Sequence, residues 1–155
     1  MVLFRIRKAE PSDMESVKAL DKETIRTQME KEERDLIKNF DQYHDEFWRR
    51  MTQTKGTTFY VAEDPEGAIV GMIWLGVQER VSGAMFGWIH DITVDENFRG
   101  RGIGRMLLQQ ASEHFKKMGI RVIGLMTLVE NQPARRLYEK AGFCDYSIYM
   151  VNKLE

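Results

Sequence analysis

The sequence predicts a mixed α/β domain spanning residues 1–155, with elements in the order β-α-α-β-β-β-α-β-α-β. Three observations support it. The middle of the chain holds three strand-like runs too closely spaced for crossover helices, which makes them an antiparallel meander. Helix-period and strand-period stretches follow one another on either side of it, without the regular βαβ succession of a doubly wound sheet. Three prolines and no glycine–serine tract leave nothing to mark a linker or a repeat.

Residues 3–8 alternate and read as the first strand. Pro11-Ser12-Asp13 marks a helix start, because Ser12 or Asp13 can cap the free amides ahead of Met14, Val17 and Leu20. Residues 30–53 form a second helical stretch with Leu36, Ile37, Phe40, Phe47 and Trp48 on its apolar side. Its charged side, with seven acids and five bases between Glu30 and Arg50, is either a solvated face or an acceptor-binding wall. Strands at 57–63 and 68–78 flank Asp64-Pro65-Glu66-Gly67, a turn with proline and glycine in favourable places. A third strand, 85–94, follows Val81-Ser82-Gly83. Then come a helix at 102–118, a strand at 121–128, a short helix at 133–141 and a last strand at 143–151.

Composition narrows the function classes. Lys plus Arg number 23 against 24 Asp plus Glu, for a net charge of −1, which argues against nucleic-acid binding driven by bulk charge. The single cysteine, Cys144, excludes an internal disulfide and a multi-cysteine zinc site, so no metal is expected. It also suits a reducing, cytoplasmic setting. No apolar run approaches the ~20 residues of a membrane span, and the first seven residues are too short and charged for a signal peptide.

The most informative segment is Arg99-Gly100-Arg101-Gly102-Ile103-Gly104-Arg105, which follows a strand and opens a helix patterned by Ile103, Leu107, Ala111, Phe115 and Met118. Glycines let the backbone approach a ligand, and the helix N-terminus supplies free amides and the positive end of a dipole. Arg99, Arg101 and Arg105 add charge, and from Arg99 to Arg121 six bases face one acid. A dinucleotide fingerprint fails because Arg105 stands where its last glycine is required, and a P-loop fails for want of Gly-Lys-Ser/Thr.

This segment resembles the phosphate loop of the GNAT superfamily of N-acetyltransferases, Gln/Arg-x-x-Gly-x-Gly/Ala, through Arg99, Gly102 and Gly104. Downstream, Asn131-Gln132-Pro133-Ala134-Arg135-Arg136-Leu137-Tyr138-Glu139-Lys140-Ala141-Gly142-Phe143 resembles the second signature, Asn-x-x-Ala-x-x-Leu-Tyr-x-x-x-Gly-Phe. The resemblance implies a GNAT-like acyl-CoA N-acyltransferase fold: a mostly antiparallel twisted sheet flanked by helices, splayed between its fourth and fifth strands. Acetyl-CoA would lie in that cleft as co-substrate. Its pyrophosphate would rest on the amides of Arg99, Gly100, Arg101, Gly102, Ile103, Gly104 and Arg105. The backbone of Ile92, Thr93 and Val94 would pair with the pantetheine arm and acetyl carbonyl. Asn131 matches a position that holds the pantetheine amide, with Ala134 beside it. The acetyl group would pass directly to a primary amine.

Such a reaction must protonate a leaving thiolate and stabilise an oxyanion. Tyr138 matches the family tyrosine near the coenzyme sulfur, and a phenol of ordinary pKa about 10 is a protonated donor at neutral pH. The base is open, because His90 falls where many relatives carry glutamate. His90, its neighbour Asp91, or water and backbone can take the proton; alternation puts His90 and Asp91 on opposite faces unless a bulge intervenes. His44 and His114 read as surface or packing residues, and Cys144 as packing near the core.

The acceptor amine is equally open. A lysine-type ammonium costs roughly 4.6 kcal/mol to deprotonate at pH 7, an α-amine only about 1 kcal/mol, so the missing glutamate favours the α-amine. Acids within residues 27–46 would instead attract polyamines, if they face the cleft. The Tyr146-Ser147-Ile148-Tyr149 ending suits an acceptor wall or aromatic packing equally. The alternative to an enzyme is a coenzyme-binding regulatory or scaffold domain without turnover. The fold is compatible with a homodimer.

Overall fold

The computed structural model describes residues 3–29, 36–152 and 154. Its centre is a five-stranded sheet in the order β1 (Arg5–Lys8), β2 (Thr58–Glu63), β3 (Ile69–Glu79), β4 (Met85–Val94), β5 (Ile123–Leu125). The first four strands pair antiparallel as a meander, and β5 joins β4 in parallel. The predicted turn between β2 and β3 closes as expected: Asp64 Oδ1 accepts from the amides of Glu66 and Ala68, and Gly67 has φ +88°.

Each face of the sheet has its own helices. Against one packs α3 (Ile103–Lys117), whose Ile103, Leu107, Leu108, Ala111 and Phe115 meet Ala62, Val70, Ile73, Leu75 and Ile89. Gly87 lets the Phe115 ring lie on β4, since a Cβ there would sit 2.7 Å from it. The other face is covered by α1 (Met14–Gln28) and α2 (Phe40–Thr52), which bring Val17 and Trp48 onto Phe59, Val61, Met72 and Trp74. The predicted fold class is therefore the observed one. A short α4 (Gln132–Lys140) follows β5.

Between β4 and β5 the sheet splays. The two pair only at Gly87–Ile89 against Ile123–Leu125, so among the described residues His90 to Val94 have no strand on that side. A bulge explains part of the change: Trp74 faces Asp91 while Leu75 faces Ile89, leaving His90 as the extra residue.

Several local expectations need correction. The helix predicted at 30–53 is interrupted at residues 37–39, between a helical Leu36 and α2, which starts where Asn39 Oδ1 accepts from the Gln42 amide at 3.2 Å; residues 30–35 lie outside the described residues. Asp13 does not cap α1 with its side chain. It accepts instead from the Glu10 amide and Arg7, which ties the preceding 3-10 turn, Pro11–Asp13, to β1. Met118 is half exposed, and Ile120 is buried in the core beyond the end of α3. The strand predicted at 121–128 shortens to the three residues of β5. The one predicted at 143–151 is not formed: Phe143 packs on the core, and the described residues after it are exposed, including Cys144, which does not pack near the core as expected. Strand propensity describes a side-chain pattern, and a ladder also needs a partner.

Candidate active site

After β4 the chain turns at Asp95, whose carboxylate accepts from the Asn97 amide at 2.9 Å, and passes a 3-10 turn at Glu96–Phe98. Arg99 Nε donates to the Val94 carbonyl, and Arg101 donates to that of Asn97 while lying over the Phe98 ring. Gly100 and Gly102 have φ of +75° and +83°, and a Cβ at either would meet nothing within 4 Å. Glycine is therefore required there by backbone handedness and not by crowding. Because the first bond of α3 runs from the Met106 amide to the Gly102 carbonyl, the amides of Ile103, Gly104 and Arg105 have no acceptor within the helix. The Ile103 side chain itself is buried core, and Gly104 is a packing glycine: a Cβ there would sit 3.0 Å from Leu137, which seats α4 against α3. Arg99, Arg101 and Arg105 are all exposed around this turn.

On α4, Asn131 is the N-cap and its Oδ1 accepts from the Ala134 amide at 3.3 Å. That leaves the Asn131 amide group as its free donor. Tyr138 is half-buried against the α3 core, its ring edge-on to Phe143 at 6.0 Å. Burial, and secondarily the negative charge of Asp91, push its phenol up to about 12, so it is held protonated.

The bulge resolves the orientation of the two candidate bases. Ile89 and Ile92 both turn toward α3, which places His90, Asp91 and Thr93 together on the α1–α2 face. The His90 ring packs on Trp74 at 4.9 Å and lies over Gly76, where a Cβ would come within 2.4 Å of its Nε2. Burial lowers its pKa below the usual 6.5, so the imidazole is neutral and able to accept a proton at pH 7. Ile92 and Val94 point into the α3 core and reach the cleft only by backbone.

Sequence reasoning missed what lies beneath Asp91. Thr93 donates to Asp91 Oδ2 at 3.1 Å and also bonds Thr24 of α1. Asp21, fully buried on α1, lies near enough to Asp91 for the two carboxyls to shift each other, and it bonds His44 Nε2 at 2.8 Å. His44 is thus neither a surface residue nor simple packing. Burial, together with the charge of Asp21, pushes Asp91 well above the carboxylate range, and burial also raises Asp21. Asp21 Oδ1 has no other hydrogen-bond partner among the described residues, and a proton shared between the two carboxyls would satisfy it. The only sequence signal was the i, i+3 pair Asp21 and Thr24 on one side of an otherwise apolar helix face.

Beside His44 opens a cavity of about 320 Å³ lined by Ile25, Met29, Leu36, Ile37, Phe40, Tyr43, His44 and Phe47. Packed rings connect its wall to the bulge, from Phe47 to Trp74 and from Trp74 to His90. Two of the three α2 acids are paired with bases of α1, Asp41 with Lys22 and Arg26 and Asp45 with Lys18, whereas Glu46 accepts from Gln42. His114 is taken up by Tyr60 at 3.2 Å, away from the cleft. Among the described residues no three His, Cys, Asp or Glu side chains cluster for a metal, and no helix is long and apolar enough to cross a membrane.

The chain is similar to known proteins. The pattern of the acetyltransferase (GNAT) family matches residues 22–143. A Bacillus subtilis (strain 168) protein that bears the name of a phosphinothricin acetyltransferase is 27% identical over 93% of this chain and 86% of its own. A mycothiol acetyltransferase of Propionibacterium freudenreichii is 35% identical over 54% of this chain, which spans about a quarter of that longer protein (26%). Among solved structures, one from Pyrococcus furiosus titled as an acetyl transferase has a TM-score of 0.83 at 26% identity, covering 98% of this chain and all of that one (100%). An aminoglycoside N-acetyltransferase in complex with CoA has a TM-score of 0.76 at 17% identity, covering 99% and 96%, a likeness of fold. With its family pattern, splayed sheet and glycine turn in agreement, the chain belongs to the GNAT acetyltransferase family.

Proposed function

We propose that the protein transfers an acetyl group from acetyl-CoA directly to the primary amine of a small molecule or peptide whose body is apolar. What supports this reading is the unpaired β4 edge from His90 to Val94, which runs into a turn whose amides lack helix acceptors, with Tyr138 near enough to Asp91 of that edge for its charge to raise the phenol. The residues present suit the coenzyme. Three amides without helix acceptors and three exposed arginines fit a pyrophosphate, and the unpaired edge from His90 to Val94 fits an amide-bearing arm. When bound, acetyl-CoA supplies the activated thioester.

His90 takes the proton released as the amine attacks, and the bulge is what aims it at the acceptor side. Backbone amides at the bulge stabilise the oxyanion, and Tyr138 donates its proton to the departing sulfur. Asp91 stays protonated and acts as a positioning residue that anchors the bulge to α1 through Asp21 and Thr93. The acceptor body occupies the aromatic cavity between α1 and α2. Its lining favours arylalkylamines and α-amino groups of hydrophobic peptides over polyamines and aminoglycosides, because it is apolar and aromatic and holds no acid.

Thiol release from acetyl-CoA across an amine panel tests this. Turnover on apolar amines and little on spermidine or kanamycin is expected. Acetyl-CoA binding without turnover on any amine would overturn it in favour of a binding module, and turnover confined to polycations would overturn the acceptor assignment.

A further inference from the structure

Glycine inside a strand weakens it, so a strand glycine that its own backbone does not require has another reason to be there. Gly76 is such a residue. It lies buried within β3, opposite Trp88 of β4, and its φ is not positive. The three atoms nearest to where its Cβ would stand all belong to the His90 ring: Nε2 at 2.4 Å, Cδ2 at 3.0 Å and Cε1 at 3.6 Å. The space of a side chain at position 76 is thus taken by one imidazole.

That imidazole needs help to stay in place. His90 is the extra residue of the bulge, so the ladder aims it less firmly than its neighbours. Its side chain is partly open to solvent, where other rotamers are within reach. Two residues of β3 restrict it. The Trp74 ring lies 4.9 Å away at a tilt of 39°, and the bare backbone of Gly76 lies under its Nε2 tip. Trp74 is itself fixed, 2% exposed and packed among Phe47, Trp48 and Phe59. The imidazole therefore rests on β3 between a rigid indole and a glycine floor. Neither brings a charge to it, and burial is what keeps it neutral. A base already held in one orientation needs no ordering when the amine arrives.

We propose that Gly76 is a positioning residue for the transfer: by lacking a side chain it seats the His90 ring on β3, in the orientation from which the ring takes the proton of the amine. This rests on His90 as the base in the function proposed above. Even a methyl group at position 76 would lift the ring off Trp74 and turn it into solvent.

Gly76→Ala is the direct test, because the atoms it displaces are the tip of a side chain free to move outward, so the fold is kept. Turnover should fall about 10- to 100-fold with the KM for acetyl-CoA unchanged. NMR titration of the His90 ring should show its midpoint climbing toward the ordinary 6.5, and the acid limb of the rate profile should move up with it. Thermal melting gives a readout free of activity. Gly76→Ala should lower the melting temperature of wild type but not that of His90→Ala, where the methyl group has room. A titration midpoint and turnover equal to wild type would overturn the proposal, and so would the same melting loss in both backgrounds. His90→Gln separates the seat from the base. Full turnover by His90→Gln would overturn the base and this role with it, whereas an inactive His90→Gln beside an unaffected Gly76→Ala would overturn the seat alone.

Discussion

The glycine turn and the β4 bulge face the same cleft but are built by opposite means. The turn is local: glycine handedness at two positions and a helix start set its amides, and little beyond residues 94–106 is involved. The bulge is held from a distance, by Gly76 and Trp74 on β3, Asp21 and Thr24 on α1, and His44 on α2. A local device can be read from sequence and tolerates change elsewhere. A device assembled from four elements is invisible to spacing rules and is sensitive to any of its supports.

The largest effect should come from where the two devices meet. Tyr138→Phe removes the proton donor but keeps the ring against Phe143, so kcat should drop about 10²- to 10⁴-fold with little change in the KM for acetyl-CoA. Equal turnover would remove Tyr138 from the chemistry and leave the turn as a binding device only.

Next comes the support of the bulge. His44→Leu conserves bulk but leaves the buried Asp21 carboxyl without its partner, and chemical denaturation should show a loss of about 3 kcal/mol. Replacing Asp21 with an apolar residue as well should restore part of that loss, because no orphaned charge remains. If the single variant is neutral, His44 is not among the supports of the bulge.

How much of this was legible follows from the same contrast. Arg99, Gly102, Gly104, Asn131 and Tyr138 lie in short ordered motifs, so pattern alone located them, and the meander followed from turn chemistry at Asp64–Gly67. Asp21 and His44 are 23 residues apart and meet Asp91 only because α1 and α2 pack on one sheet face. Nothing local to any of them announces the other two. The tail failed for a third reason: residues 143–151 have the composition of a strand, but composition cannot say which edge would pair with it.

A smaller effect separates handedness from ligand contact. Gly102→Ala has open space for its methyl group, so its cost is backbone strain of about 1–2 kcal/mol, read by thermal melting. Gly67→Ala, with φ +88° and the same open space, is the matched control. Both should lose similar stability, but only Gly102→Ala should raise the KM for acetyl-CoA. If both leave it unchanged, the amides of the turn do not hold the coenzyme.

The smallest effect is the most discriminating for the bulge. In the folded protein the Asp91 pKa is raised, chiefly by burial, whereas in the unfolded chain the group ionises near about 3.9. Its contribution to stability is thus complete below that value and is lost as pH rises toward the folded pKa, because folding must then take up a proton. Asp91→Asn supplies an N–H donor to Asp21 and an acceptor for Thr93 at every pH, with no proton to acquire. The variant should match wild type near about pH 4 and gain on it as pH rises, by up to about 1.36 kcal/mol per pH unit while the full proton is at stake. Denaturant titrations across that range measure the divergence, and parallel curves would mean that Asp91 carries no proton. Turnover measured on the same variant divides the two candidate bases. Near-normal kcat leaves His90 as the acceptor of the amine proton, whereas a collapse would transfer that role to Asp91.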